Sequence, residues 1–348
     1  MKRRYLLLGG TGFIGLHLAR RLAGSLGSGA ELLIVDDHSR GAYDADVEAF
    51  LAGNPQVRSL HADLSEPGAF SVLDGSFTDV YLLAAVVGVH NAETRPADVL
   101  RTNTVLVLGT LDWMVTSRSQ RLFYASTSEA YAGGVNIGVV PIPTTETVPM
   151  VIDDITNPRF SYAISKLWGE AAVLYWAEKH GVEAVTGRFH NVYGPRMGAA
   201  HVIPELALRM LEGENPLTVR SVDQTRAFCY VDDAVEAMLG LMGTDNAVGE
   251  TFHIGNDAEE VRIGDLVPLV MEAAGVSCDI RTLPPPPGSV DRRCPDITKL
   301  RVLTGFQPNV SLSDGVQTTV CWYRENRANF LDRARTDATA ASGRENQQ

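Results

Sequence analysis

The sequence has 348 residues, a formal net charge of -12, and 45% hydrophobic against 21% charged residues. A chain of that length outgrows one ordinary core and fits a large α/β unit carrying a smaller lobe. The acidic balance argues against a broad basic face for nucleic acid or anionic membrane, although a few arginines can still hold a small anionic molecule.

At the N-terminus Lys2, Arg3 and Arg4 precede the apolar run Tyr5-Leu6-Leu7-Leu8, which stops at once in Gly9-Gly10-Thr11-Gly12. That run is too short for a secretory segment and no later run is long enough to span a bilayer, so the expected compartment is the cytoplasm. Tyr5 to Leu8 reads as a strand and Phe13 to Ala23 as the helix after it. Strands are expected next at Leu32 to Asp36, Val57 to Ala62 and Val80 to Ala84, then a helix at Val99 to Thr116 and a strand at Arg121 to Ser126. A long helix from Tyr162 to His180 and a strand from Glu183 to Arg188 complete the pattern. Short apolar runs alternating with helical periodicity mark a parallel sheet covered on both faces. The expected fold is therefore α/β, a doubly wound parallel sheet of Rossmann type over residues 1–190, with parts of 225–255 returning to it.

Residues 191–332 loosen into loops and short elements and read as a smaller C-terminal substrate-binding lobe, with an isolated helix near 313–326. Pro284 to Gly288 reads as a stiff surface segment, and 333–348, rich in Ala, Thr, Ser, Gln and Asn, as a disordered tail. Cys229, Cys278, Cys294 and Cys321 are scattered without a CxxC or Cys/His cluster, so the expectation is reduced thiols and no metal site.

Gly10-Thr11-Gly12-Phe13-Ile14-Gly15 matches GxGxxG, and counted from Gly9 the string also matches GxxGxxG. It follows a strand and opens a helix, where glycines let the backbone approach a pyrophosphate and the helix N-terminus receives its charge. Asp36 ends the second strand, placed to bind both hydroxyls of an adenosine ribose, which favours NAD over NADP. Arg40 lies close enough to keep NADP open. Asp63, after the third strand, is placed to reach the adenine edge.

Tyr162 and Lys166 stand one helical turn apart and share a face. A neighbouring ammonium favours the phenolate, so Tyr162 can take the proton of a sugar hydroxyl as a hydride leaves. Thr127-Ser128-Glu129 at a strand end joins them.

With these stretches on view the chain resembles the extended short-chain dehydrogenase/reductases, the nucleotide-sugar epimerases, dehydratases and decarboxylases. The likeness covers roughly residues 4 to 328. It rests on Gly9 to Gly15, Arg101 to Thr104, Ser126 to Tyr131, Tyr162 to Lys166, Arg188 to Met197, Gln224 to Phe228, Arg293 to Ile297 and Gly305 to Pro308. Within the group it is most similar to the UDP-glucuronate decarboxylase (UDP-xylose synthase) family. Asn157-Pro158-Arg159 ahead of the tyrosine, Leu217-Thr218-Val219 and Thr225-Arg226-Ala227-Phe228 carry that closer likeness.

The resemblance implies a cytoplasmic homodimer that binds NAD and a UDP-linked sugar. It implies cofactor contacts from Gly9, Gly12, Phe13, Ile14, Gly15, Asp36, Asp63, Leu64, Ala84 and Asn103, besides Tyr162 and Lys166. Tyr162, assisted by Lys166 and the Thr127 hydroxyl, would deprotonate the C4 hydroxyl. Ser128 and Glu129 would orient the ring and its carboxylate, the 4-keto acid would lose carbon dioxide, and re-reduction would give UDP-xylose. Arg226 and Arg293 would hold the diphosphate, where guanidinium forks suit phosphate oxygens, with Asn191 and Val219 as further substrate contacts. Helices such as Val99 to Thr116 or that of Tyr162, with Leu167, Ala171 and Leu174, could bury the dimer interface in a four-helix bundle, although an apolar helix face fits a monomer core equally well.

Three alternatives stay open. A 4,6-dehydratase needs an acid for the leaving hydroxyl, which Ser128 does not supply. A 4-epimerase needs only the tyrosine and room for the keto sugar to turn, and Glu129 counts against it. A non-catalytic NAD-binding sensor or scaffold would have no use for an intact Tyr162, Lys166, Thr127 and Glu129. The chain departs from the decarboxylases at 88–95, where Ala92 and Thr94 replace expected bulk, and again at Gly198 to His201. Either other groups grip the carboxylate, with Arg95 and His90 as the candidates, or the substrate is not glucuronate. Otherwise His90 and His201 read as surface or packing residues.

Overall fold

The computed structural model describes residues 3–27, 29–39, 43–285 and 289–327. Six strands and six helices build the first half: β1 (Arg4–Leu8), α1 (Phe13–Ala23), β2 (Glu31–Asp36), α2 (Ala45–Gly53), β3 (Val57–His61), β4 (Asp79–Leu82), α3 (Val89–Thr94), α4 (Pro96–Ser117), β5 (Arg121–Thr127), α5 (Ala132–Asn136), α6 (Phe160–His180) and β6 (Glu183–Phe189). They form one wholly parallel sheet in the order β6-β5-β4-β1-β2-β3, extended beyond β6 by a seventh strand, Thr251–Ile254. This is the doubly wound Rossmann arrangement that the alternating pattern predicts.

Side chains alternate across each strand, so each strand feeds two cores. Leu7, Ile34, Tyr81, Phe123 and Val185 face one side with α1 and the Val231–Met242 helix. Leu6, Leu8, Val35, Val80 and Tyr124 face the other with α4 and α6. Burying each such leucine or valine contributes about 1.5–3 kcal/mol, which is why the strands read as unbroken apolar runs.

Boundaries shift from expectation for local reasons. α4 begins at Pro96 because proline suits the first helical position. β4 ends at Leu82, not Ala84, because the N–H groups of Leu83 and Ala84 both turn to the Leu8 carbonyl, at 2.9 and 2.7 Å. The stretch after 190 holds more regular structure than its sequence suggested. Helices Val202–Leu211, Val231–Met242, Ile263–Ala274 and Thr298–Thr304 are present, and residues 312–327 are helical. The Val231–Met242 helix packs on α1 and the Thr251–Ile254 strand pairs with β6. In the lobe Leu217–Arg220 pairs with Ile280–Leu283, and Thr225–Ala227 lies between Glu260–Arg262 and Arg292–Arg293. Much of the expected proline segment and the whole tail from 333 fall outside the described residues, as does Arg40. Among the described residues no helix is long and apolar enough to cross a membrane, and no group of three His, Cys, Asp or Glu could hold a metal. All four cysteines are unpaired.

Candidate active site

The strand ends open into a cleft of ≈ 580 Å³. A parallel sheet places such a crevice at the carboxyl ends of its strands, where neighbouring connections diverge.

At one end the chain turns from β1 into α1. Gly9 has φ +86°, and a Cβ there would lie 2.6 Å from the Ala84 nitrogen; a Cβ on Gly15 would lie 2.4 Å from the Gly9 carbonyl oxygen. Only glycine fits either place, so strand, turn and helix close tightly and leave Gly12 and the start of α1 facing the cleft with Phe13 and Ile14. Asp36 is buried at the end of β2, its two oxygens accepting from the Thr11 N–H at 3.0 Å and the His38 N–H at 2.8 Å. A carboxylate has lone pairs beyond those two bonds, so it still suits a ribose diol. Asp63, Leu64 and Ala84 line the same end, and Asp63 is held by the Ser65 hydroxyl at 2.6 Å. The tight turn and the acidic residue fit NAD.

At the other end β5 delivers Thr127, and a short 3₁₀ turn, Ser128–Tyr131, carries Ser128 and Glu129 to the rim. The Thr127 oxygen accepts from the Glu129 N–H at 3.2 Å, which leaves its hydroxyl as a donor. α6 presents Tyr162 and Lys166 to the same space. The Lys166 ammonium donates to the Ala125 carbonyl at 2.8 Å and lies 6.0 Å from the centre of the Tyr162 ring. Burial pulls its pKa down to about 8, with Glu170 opposing the shift. It is therefore still largely cationic at neutral pH.

Glu129 is clamped by Arg293, whose Nη1 bonds one oxygen while Nη2 bonds the other at 3.1 Å. Burial would raise the Glu129 pKa, but Arg293, with Arg159 and Arg226, holds it below the usual carboxylate range. An ionised Glu129 thus sits among three guanidinium groups in an otherwise acidic protein. Arg159, quoted in the sequence only as part of a motif, lines the cleft; its position three residues before Tyr162 is the signal for that shared face. Arg196 also lines it and was missed, buried against Asp44 at 2.8 Å.

Asn191 and Arg95 line the cleft as well, Asn191 in a left-handed conformation with its amide on the Ala227 carbonyl at 3.1 Å. Three predicted contacts lie outside the lining. Val219 belongs to the core, because strand alternation turns it inward. Arg226 spends its guanidinium on the Thr225 and Val290 carbonyls, both at 2.7 Å, and burial, then Arg293, lowers its pKa to about 10. Asn103 works from behind, bracing Val86 through its N–H at 2.7 Å and reaching the Ser165 hydroxyl at 2.9 Å. Of the two histidines, His90 is exposed and off the cleft, whereas His201 lines it.

Residues 5–255 match the NAD dependent epimerase/dehydratase family. The chain is 31% identical to UDP-N-acetyl-alpha-D-glucosaminuronate decarboxylase of Bacillus cytotoxicus over 93% of this chain and 99% of that one. It is 31% identical to UDP-glucuronic acid decarboxylase 1 of Xenopus tropicalis over 94% of this chain and 74% of that one. Among solved structures it superposes on UDP-glucuronic acid 4-epimerase of Bacillus cereus, bound to NAD and a fluorinated UDP-glucuronic acid, with a TM-score of 0.81 and 25% identity, over 92% and 99% of the two chains. The chain belongs to the NAD dependent epimerase/dehydratase family, as a nucleotide-sugar-modifying enzyme whose cofactor is NAD.

Proposed function

We propose that this enzyme is a UDP-glucuronate decarboxylase, with the first half of the chain serving NAD and residues 191–332 mainly the sugar nucleotide. One observation carries the reading: Glu129, ionised and clamped by Arg293, shares a cleft with Tyr162, Lys166 and Thr127, while position 128 offers a hydroxyl and no acid. NAD, when bound, supplies the hydride acceptor for oxidation at C4. Tyr162 takes the C4 hydroxyl proton, with Lys166 favouring the phenolate and the Thr127 hydroxyl donating to the same oxygen. In the resulting 4-keto acid the carboxylate is β to the ketone. The electron pair of the bond to the carboxyl carbon passes toward that ketone as carbon dioxide leaves, donors at the rim stabilise the oxygen that gains charge, and a proton from solvent then takes the place of the lost carboxyl group on C5. Arg293 and Arg159 supply the positive surface that anionic groups of the substrate need, and Arg226 reinforces it from behind. The likeness to two decarboxylases over almost the whole chain supports the reading.

The chain also presents an apolar face for a second copy. Leu100 and Leu108 on α4, with Trp168, Leu174 and Tyr175 on α6, are exposed although these two helices pack together. We place a homodimer interface there, and the compartment in the cytoplasm.

Incubation with UDP-glucuronate and NAD tests the proposal, with UDP-N-acetylglucosaminuronate, UDP-glucose, dTDP-glucose and GDP-mannose as parallel substrates. Release of carbon dioxide with a UDP-pentose by mass is the expected result. Epimerised UDP-galacturonate without carbon dioxide, or conversion only of a neutral sugar, would replace the decarboxylase reading with an epimerase or a dehydratase.

A further inference from the structure

Ser128 and Arg293 each border two spaces. One is the main cleft; the other is a small chamber behind it, walled also by Tyr131, His190, Thr144 and Cys294. The chamber leaves ≈ 10 Å³ for the centre of a water-sized sphere, room for about one water.

His190 is the polar group that the chamber serves. It is 2% exposed, and among the described residues neither of its ring nitrogens has a hydrogen-bond partner. Its aromatic neighbours cannot supply one. Tyr131, whose ring centre is 6.3 Å away, uses its hydroxyl on Arg188 and on the His253 Nε2 at 2.7 Å. His253, 4.5 Å away, uses its Nδ1 on the Asp296 carbonyl at 3.0 Å. Leaving a buried polar atom unbonded is costly, whereas a water beside it needs only about two to four polar partners. The chamber is lined by His190, by Ser128, by Thr144, whose hydroxyl proton goes to the Pro141 carbonyl at 2.9 Å and whose oxygen can still accept, and by Arg293, whose terminal nitrogens already hold Glu129. Burial first, then His253, Arg293 and Arg188, push the His190 pKa well below its ordinary range. The ring is therefore neutral, with one N–H donor and one acceptor nitrogen.

We propose that the chamber holds one buried water that joins the His190 ring to the Ser128 hydroxyl, which makes His190 a positioning residue for the reaction. When Ser128 donates to a substrate oxygen, its own oxygen accepts from the water and the water accepts from the His190 N–H. Donors aligned in one direction polarise each other and strengthen the last bond of the chain. No proton changes owner, so a neutral ring suffices. The water site stands independently of the substrate; its effect on turnover rests on the decarboxylase reading.

The test uses the full-length protein with ¹⁵N-labelled histidines. The His190 resonances, assigned by their loss in His190→Phe, are expected to report a neutral ring whose N–H shows a cross-peak to bound water, and Ser128→Ala is expected to shift them. In turnover, His190→Phe should lower kcat about tenfold, the worth of roughly one hydrogen bond, with KM nearly unchanged. His190→Gln, which keeps a donor and an acceptor, should recover most of the loss. Lack of the water cross-peak, resonances indifferent to Ser128→Ala, or an unchanged kcat in His190→Phe each overturn the proposal. Should His190→Phe not fold, the spectra of wild type and Ser128→Ala decide the matter. If UDP-glucuronate is not the substrate, those spectra still decide the water site, so the two failures are told apart.

Discussion

Tyr162 and Lys166 divide one task. In the proposed reaction the phenol oxygen exchanges a proton with the sugar, and the ammonium sets how readily the phenol gives its own up. Tyr162→Phe removes only that oxygen, so turnover should fall by about 10²–10⁴-fold while NAD stays bound; a near-normal rate would take Tyr162 out of the reaction. Lys166 predicts a pH dependence with a definite sign. Its pKa lies near 8, below the ordinary amine value, so it is cationic below that pH and neutral above it. The ammonium is the form that favours a phenolate, and kcat is expected to decline as pH rises through about 8. Lys166→Met should be slow throughout and lack that alkaline limb, which a pH series on both proteins checks.

At the scale of elements, the β1–α1 turn leaves no room for a side chain where it closes on itself. A methyl group on Gly15 would press on the Gly9 carbonyl at 2.4 Å, which is backbone and cannot swing aside. Gly15→Ala should lower NAD affinity at least tenfold and lower the melting temperature, measured by titration and calorimetry; wild-type affinity would show that the turn has slack. This element and α6 were legible in the sequence because their signals are local: a glycine spacing, a YxxxK turn, apolar runs bounded by breakers. The clamp on Glu129 was not, since Arg293 lies far along the chain and only the lobe's fold brings it back. Arg226 and Val219, expected to touch the substrate, lie outside the cleft lining. Their motif was recognisable, but strand alternation decides which side chains of a short strand meet a ligand. The Val231–Met242 helix was legible in principle, with Val231, Ala234, Val235, Met238 and Leu241 all buried at helical spacing.

On the scale of the whole molecule, α4 and α6 do double service: they cover one face of the sheet and expose an apolar stripe of their own. A paired Trp168→Glu and Tyr175→Glu change should convert a dimer to a monomer in light scattering while leaving the single-chain fold intact. A wild type that is monomeric at micromolar concentration would end the homodimer reading. The two halves of the chain are also not separable packages. One apolar core runs from Leu7 and Leu16 in the first half through Met238, Leu300 and Val316 in the second.

The seventh strand has a consequence for how the protein is made. Thr251–Ile254 docks on β6 through four consecutive register positions, Thr251 against Thr186 to Ile254 against Phe189. During synthesis β6 leaves the ribosome some sixty residues before its neighbour, at about 5–20 residues per second. For those seconds the nascent chain carries an open β edge flanked by apolar Val185 and Phe189. Chaperone capture or premature pairing with another nascent chain would strike at that edge, and a stall before residue 254 would prolong the hazard.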